Sequence, residues 1–278
     1  MSSDAAARHV APSALGDDAR RFFNLTLTLA RTDFKLRYFG SVLGYLWSLV
    51  RPLLLFGVLY LVFSVVFHAG RGVKHYPVYL LTSIILWTFF METTGGCVQC
   101  LLAREGLLRK IRFPRLVIPM SVGLTALFNL GMNFIVVLGF ALATGVEPRL
   151  TWFEVPLLVL IIAALALGTG MLLSVLYVRF RDVQPIWDVA SQVLFYISPI
   201  IYTAMTYPSS VLRIAMINPI ATILTQMNHA FINPGTPSAA SYIGSPVRLL
   251  APLGIIAAVG ALGLWFFGRE APRIAENL

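Results

Sequence analysis

LVIPMSVGLTALFNLGMNFIVVLGFALAT, residues 116–144, runs for 29 residues without one Asp, Glu, Lys, Arg or His. A helix rises about 1.5 Å per residue, and a bilayer's hydrocarbon core is about 30 Å thick. The run is therefore long enough to cross a membrane with length left for tilt. It is apolar on every face. A barrel strand would alternate apolar and polar over about 10 residues, so a transmembrane barrel is excluded. Further apolar runs lie on both sides of it, at 44–67, 77–98, 153–178, 186–204 and 249–268. The run at 186–204 is short and leads into more apolar sequence.

Composition agrees. Of the 278 residues, 58% are hydrophobic and 12% charged, with mean hydropathy +0.81. A soluble domain carries about 25% charged residues, and so few charges would not cover a soluble surface. We expect an all-α integral membrane protein with six transmembrane helices. Residues 1–18 are polar and Ala-rich and read as a disordered tail without a signal peptide. The two cysteines exclude a disulfide framework.

The net charge is +9, and its distribution orients the chain. Six spans leave both termini on one side. That side carries fifteen of the 21 Lys and Arg, the other side five, and Arg51 lies within a span. The positive-inside rule then places both termini in the cytoplasm. The charge follows topology rather than one patch, which excludes a nucleic-acid surface.

Stretches between the spans carry their own patterns. In residues 19–38, Arg20, Asn24, Thr28, Arg31 and Lys35 recur at helical spacing as one polar stripe on an otherwise apolar helix. That suits the cytoplasmic membrane interface, or packing on the chain's own helices. Residues 101–115, LLAREGLLRKIRFPR, are basic with apolar anchors at Leu101, Leu102, Leu107, Leu108 and Ile111. They read as a helix docking into a cytoplasmic partner, ended near Pro114. Residues 202–230 are apolar but broken at Pro208 and Pro219. Neither half, 209–217 or 220–230, is long enough to cross, so two short re-entrant helices at the outer leaflet are expected. Residues 233–246 read as an external loop.

Catalytic chemistry is missing. There is no phosphate-cradling G-x-x-x-x-G-K-[ST] and no H-E-x-x-H. Gly168-Thr169-Gly170 lies inside a span and reads as close helix packing. The four histidines are scattered, and Cys97 and Cys100 lack the context of a redox or zinc site. Arg51 and Glu92 are ionisable residues within spans, where charge is costly and functional by default. A transporter with no nucleotide site and no ion relay draws energy from a partner.

Several short motifs, in order, resemble the ABC-2 type permeases that export polysaccharides, the membrane subunits of O-antigen, capsule and teichoic acid transporters. They are R-T-D-F-K-L-R-Y-F-G-S-V-L-G-Y-L-W-S-L-V-R-P at 31–52, L-L-R-K-I-R-F-P-R at 107–115, F-R-D-V at 180–183, S-P-I-I-Y at 198–202, and Asn218-Pro219. The likeness covers about residues 20–270. It divides the chain into a tail (1–18), an interfacial helix with entrance loop (19–43), a six-helix domain (44–268) and a second tail (269–278).

The resemblance implies two permease copies and two separate ATPase subunits, with ATP and Mg on the partner and no cofactor here. It places an entrance at the Leu43-Gly44 turn, facing a polyprenyl-diphosphate-linked polysaccharide. Arg37 and Arg51 flank that turn and suit the diphosphate through charge-assisted hydrogen bonds. Gly40 and Gly44 let the backbone turn and approach. It also implies ATPase coupling by Arg104, Leu107, Leu108, Arg109, Lys110, Arg112 and Arg115, and an outer gate around Tyr202, Pro208, Asn218 and Pro219. Sugars stack on flat faces, so Tyr45, Trp47, Tyr60, Trp87, Phe195 and Tyr196 are candidate channel aromatics, with interfacial belt or ordinary packing as the alternative. The polymer itself stays open among O-antigen, teichoic acid and a cell-wall galactan. An ABC-2 exporter of a drug, haem or lipid is the runner-up. A scramblase or an enzyme on lipid-linked sugars is the more distant rival, and its clustered acids are missing.

Overall fold

The structure is a computed structural model describing residues 19–39, 44, 46–68, 70, 72–106, 113–244 and 246–277. The described residues fold as helices joined by turns. Five helical stretches are long and apolar enough to cross a membrane: Leu46–Val66, Tyr76–Val98, Val117–Ala143, Leu150–Arg179 and Val247–Glu270. Each falls within a few residues of an expected span. We label α1 (Ala19–Tyr38), α2 (Leu46–Tyr60, continued as a π-helical segment, Leu61–Val66), α3 (Tyr76–Val98), α4 (Cys100–Ala103), α5 (Val117–Ala143), α6 (Glu154–Arg179, after a 3-10 turn at Leu150–Phe153) and α7 (Val183–Ile197). They are followed by α8 (Ser209–Ala215), α9 (Pro219–Met227, continued as a π turn, Asn228–Ile232), α10 (Ala239–Ile243) and α11 (Leu250–Asn277).

The expected fifth span, 186–204, is where the structure departs most from the sequence reading. Its helix α7 has 15 residues, about 22 Å of rise. Pro199 explains the stop. The residue before a proline is pushed out of the α region, and Ser198 is extended at φ −82°, ψ 145°. The chain then runs as an irregular segment to a 3-10 turn at Ala204–Thr206.

The centre of the bundle is α3. It is apolar on all sides and nearly all of it is buried, against α5, α6 and α7. Tyr79, Leu80, Leu81, Ile84 and Leu86 are almost fully enclosed. Without a hydrophobic force between helices in lipid, small residues that let backbones meet become important. Gly168 on α6 lies against Gly260 and Gly263 on α11, and Gly170 lies against Cys97 on α3. The close-packing reading of Gly168-Thr169-Gly170 is therefore seen directly.

Helix α2 is different. Leu54, Leu55, Val58, Leu61, Val65 and Val66 are exposed, and of its residues Pro52 alone is buried. An apolar helix this bare within the chain faces lipid or another protein. The short helices α8, α9 and α10 sit together at the end of the bundle where α3 begins. They take the place expected for 202–230, while α10 adds a helical turn inside the expected loop 233–246.

Candidate functional site

Two polar constellations stand out, one at each end of the bundle. The first ties α1 to the bundle. Thr26 and Ala30 are buried, the Thr125 hydroxyl on α5 donates to the Ala30 carbonyl at 3.3 Å, and Phe34 meets Phe128 edge-on at 5.9 Å. The stripe of Arg20, Asn24, Thr28, Arg31 and Lys35 stays exposed. One face of α1 thus packs on the protein while its basic face remains open.

Near the end of α1, Arg37 donates to the Glu92 carboxylate on α3. The Asn129 amide on α5 donates to the same oxygen. The Tyr38 hydroxyl in turn donates to Asn129 Oδ1 at 3.0 Å. Glu92, an isolated carboxylate in the sequence, is therefore the hub joining three helices. A second tether lies nearby: Arg104 donates to Asp33 on α1 and to the Ser121 hydroxyl on α5 at 3.1 Å.

These pairings sort the expected site residues. Arg37 is already held by a carboxylate, and Arg104 is turned inward onto α1 and α5. Arg51 is exposed on α2 and makes no hydrogen bond or ion pair with the described residues. Gly44 adopts φ +49°, and its carbonyl accepts from the Trp47 amide at 3.3 Å as α2 begins. Gly40, Leu43, Tyr45, Leu107, Leu108, Arg109, Lys110 and Arg112 lie outside the described residues. Arg115 stands in the turn leading into α5. Arg179, Arg181 and Arg269 gather at this end too, each over an aromatic ring: Phe180, Tyr177 and Trp265.

At the opposite end, tyrosines hold the irregular segment after α7. The Tyr76 hydroxyl donates to the Ile201 carbonyl at 2.6 Å. The Tyr79 hydroxyl sits between the carbonyls of Pro199 and Tyr202. Tyr202 donates to the Tyr196 carbonyl at 2.6 Å, and Tyr207 to that of Ile197. A broken helix leaves carbonyls without partners, and buried carbonyls must be satisfied. Here five of them, from 196 to 202, accept from tyrosine. Burial first, and the contact with Tyr202 second, push the Tyr207 hydroxyl well above its ordinary pKa. Asn218 links the two broken pieces. Its amide donates to the Ser198 hydroxyl at 2.9 Å, while its Oδ1 caps α9 by accepting from the Ile220 amide at 3.0 Å. Pro219 at the first helical position suits that cap. Pro208 immediately precedes α8.

Comparison with known proteins bears on both constellations. The model of the family described as ABC-2 type transporter matches residues 24–232, a span from inside α1 to the end of the π turn after α9.

The chain belongs to the ABC-2 type transporter family.

It is 30% identical over 257 residues to the O-antigen export system permease protein RfbA of Klebsiella pneumoniae, covering 92% of this chain and 95% of that protein. It is 30% identical over 266 residues to the RfbA of Myxococcus xanthus, covering 93% and 96%. It is 22% identical over 249 residues to the polysialic acid transport protein KpsM of Escherichia coli, covering 86% and 91%. As an ABC-2 permease with several membrane-crossing helices, it is a multi-pass protein of the inner membrane.

In this ABC-2 chain the aromatic candidates separate by exposure. Trp87 is buried in the chain's own core and packs on Phe90 and, at 5.5 Å, on Phe195. It faces the protein interior, where ordinary packing accounts for it. Tyr60 stacks on Phe56 at 5.7 Å. Trp47 and Tyr196 are exposed, at 48% and 65%. Sequence reasoning did not single out Tyr76, Tyr79 or Asn129. Their partners lie 37 to 125 residues away, and no local spacing encodes such pairs. The one available signal was polarity inside apolar runs.

Proposed function

We propose that this chain is the membrane subunit of an ATP-driven exporter of a lipid-linked polysaccharide. The observation that carries this reading is near end-to-end similarity to O-antigen export permeases, 30% identity over 95% of their length. Two copies pair around a channel, each joined from below by an ATPase subunit. The exposed apolar length of α2 supports pairing, since a bare helix in a bundle needs lipid or a partner. The arginine-rich end, with both termini, faces the cytoplasm by the positive-inside rule. Helix α7 together with the tyrosine-held segment after it makes the sixth crossing. That reading is supported by paired carbonyls, because irregular backbone is tolerated at membrane depth only where protein satisfies it. The cargo is a sugar polymer on a polyprenyl diphosphate, which enters near Gly44 and Arg51.

Residues 105–115 would couple to the ATPase, with Arg104 tying the start of that segment to α1. Replacing Arg109, Lys110 and Arg112 together by Ser should reduce co-purification of the ATPase subunit at least 10-fold. Undiminished association would remove this segment from the coupling role. At Gly44 the left-handed backbone disfavours any side chain with a branched Cβ, by about 1–2 kcal/mol. Gly44→Val should lower surface polymer several-fold in a complemented deletion strain while the protein still reaches the membrane. Normal polymer would argue against this turn as the entrance. The proposal as a whole is tested by that complementation. The wild-type gene, expressed with its ATPase, should restore a surface polysaccharide; restored drug or haem export without polymer would favour the runner-up.

A further inference from the structure

A cavity of about 120 Å³ opens at the end of the bundle where α3 begins, beside the tyrosine-held segment. Its lining includes Lys74, Tyr79, Thr203, Thr225, Asn228 and Tyr242. Asn228 is the telling residue. It is 7% exposed, yet its side-chain amide makes no hydrogen bond with the described residues. Thr203 is the same: 6% exposed, with its hydroxyl unpaired. Among the described residues the side-chain atoms cut off from solvent without a partner are Thr93 Oγ1 and Trp187 Nε1; the Asn228 amide and the Thr203 hydroxyl stay reachable from the cavity that they line. Elsewhere at this end such groups are satisfied, including Asn218, Thr222 and Gln226. These two line the cavity instead.

We propose that this cavity is a binding site for a single sugar residue of the exported polymer, a reading that rests on the exporter function above. The lining offers amides and hydroxyls, which both donate and accept as sugar hydroxyls do. Tyr242 adds a half-buried ring suited to the C–H face of a pyranose, while the Tyr79 ring is enclosed. Among the described residues no carboxylate lines the space, and Lys74 is exposed near it, so a cation is disfavoured and an acidic sugar tolerated. Size sets the limit: an apolar cavity of about 150 Å³ takes up one benzene ring, and a hexose has about twice the heavy atoms of benzene, so this smaller but open space seats the edge of one sugar ring and not a chain. Under the proposed orientation it lies on the outer face, where it would hold the polymer as it emerges.

The test uses the complete permease–ATPase complex in lipid nanodiscs. Saturation-transfer NMR is recorded with galactose, mannose, rhamnose, N-acetylglucosamine and glucuronate in turn. At least one should give a saturable signal in the millimolar range, lowered at least 10-fold by Asn228→Leu. Thr203→Val, which keeps side-chain shape while deleting the hydroxyl, should also weaken it and carries the test should Asn228→Leu not fold. No saturable signal from any of the five, or equal signals from wild type and Thr203→Val, would overturn the site: the cavity then holds only water. Surface polymer from the complemented strain is read in parallel. Restored polymer with no sugar signal removes the cavity site and leaves the exporter reading standing. A sugar signal that Asn228→Leu abolishes, in a protein that restores no polymer, does the reverse.

Discussion

Gly263→Ala should cost the protein several degrees of thermal midpoint, and Gly260→Ala, three residues away on the same helix, almost none. A Cβ built on Gly263 falls 2.4 Å from the Gly168 carbonyl oxygen. That contact is with backbone, so no side chain can swing clear and α6 and α11 must part. Overpacking of this kind costs about 1–3 kcal/mol, on the order of 5 °C for a chain of this size. A Cβ on Gly260 meets nothing within 4 Å, and Ala favours a helix over Gly by about 1 kcal/mol. Gly263→Val, larger and branched, should leave little folded protein. Thermal unfolding in detergent checks the pair. Equal losses at 260 and 263 would show that the two helices do not cross here.

Arg51→Ala should cut polymer export at least 10-fold while membrane insertion and ATPase association persist. A cation within a span costs about 2.5–3.5 kcal/mol on insertion scales. Arg37 and Arg104, outside the spans, are each paired with a carboxylate, whereas Arg51, inside one, has none among the described residues. An unpaired cation near the Gly44 turn is suited to a ligand that arrives charged. Arg51→Lys should recover part of the export, since it keeps the charge and loses the bidentate fork. Arg37→Ala should behave differently. It leaves Glu92 without its cation and should loosen α1 from the bundle, which limited proteolysis of α1 would detect. Normal polymer from Arg51→Ala would end the diphosphate role, leaving snorkelling to the headgroups as its explanation.

The spans were readable because bilayer thickness sets their length, and none of the six carries more than one charged residue. The breaks at Pro208 and Pro219 were readable too, since proline acts locally. α7 was read too long because apolar residues continue past Pro199, and apolarity outvoted the proline. The roles of Arg37 and Glu92 were not readable singly. Each looked like an isolated charge, and only the fold shows that they meet. The tyrosine hydroxyls illustrate the same limit: Tyr79 and Pro199 are 120 residues apart. In a run already rich in aromatics, nothing distinguishes a tyrosine that holds a carbonyl from one that fills space.

We propose that this permease moves its cargo on a partner's ATP. The direct measurement is transport in proteoliposomes containing the purified chain, with and without its ATPase subunit, scored by lipid-linked polymer reaching the far side. Polymer should cross only when ATPase subunit and ATP are both present, and the chain alone should hydrolyse none. Transport by the chain alone, or nucleotide turnover without the companion, would contradict the account.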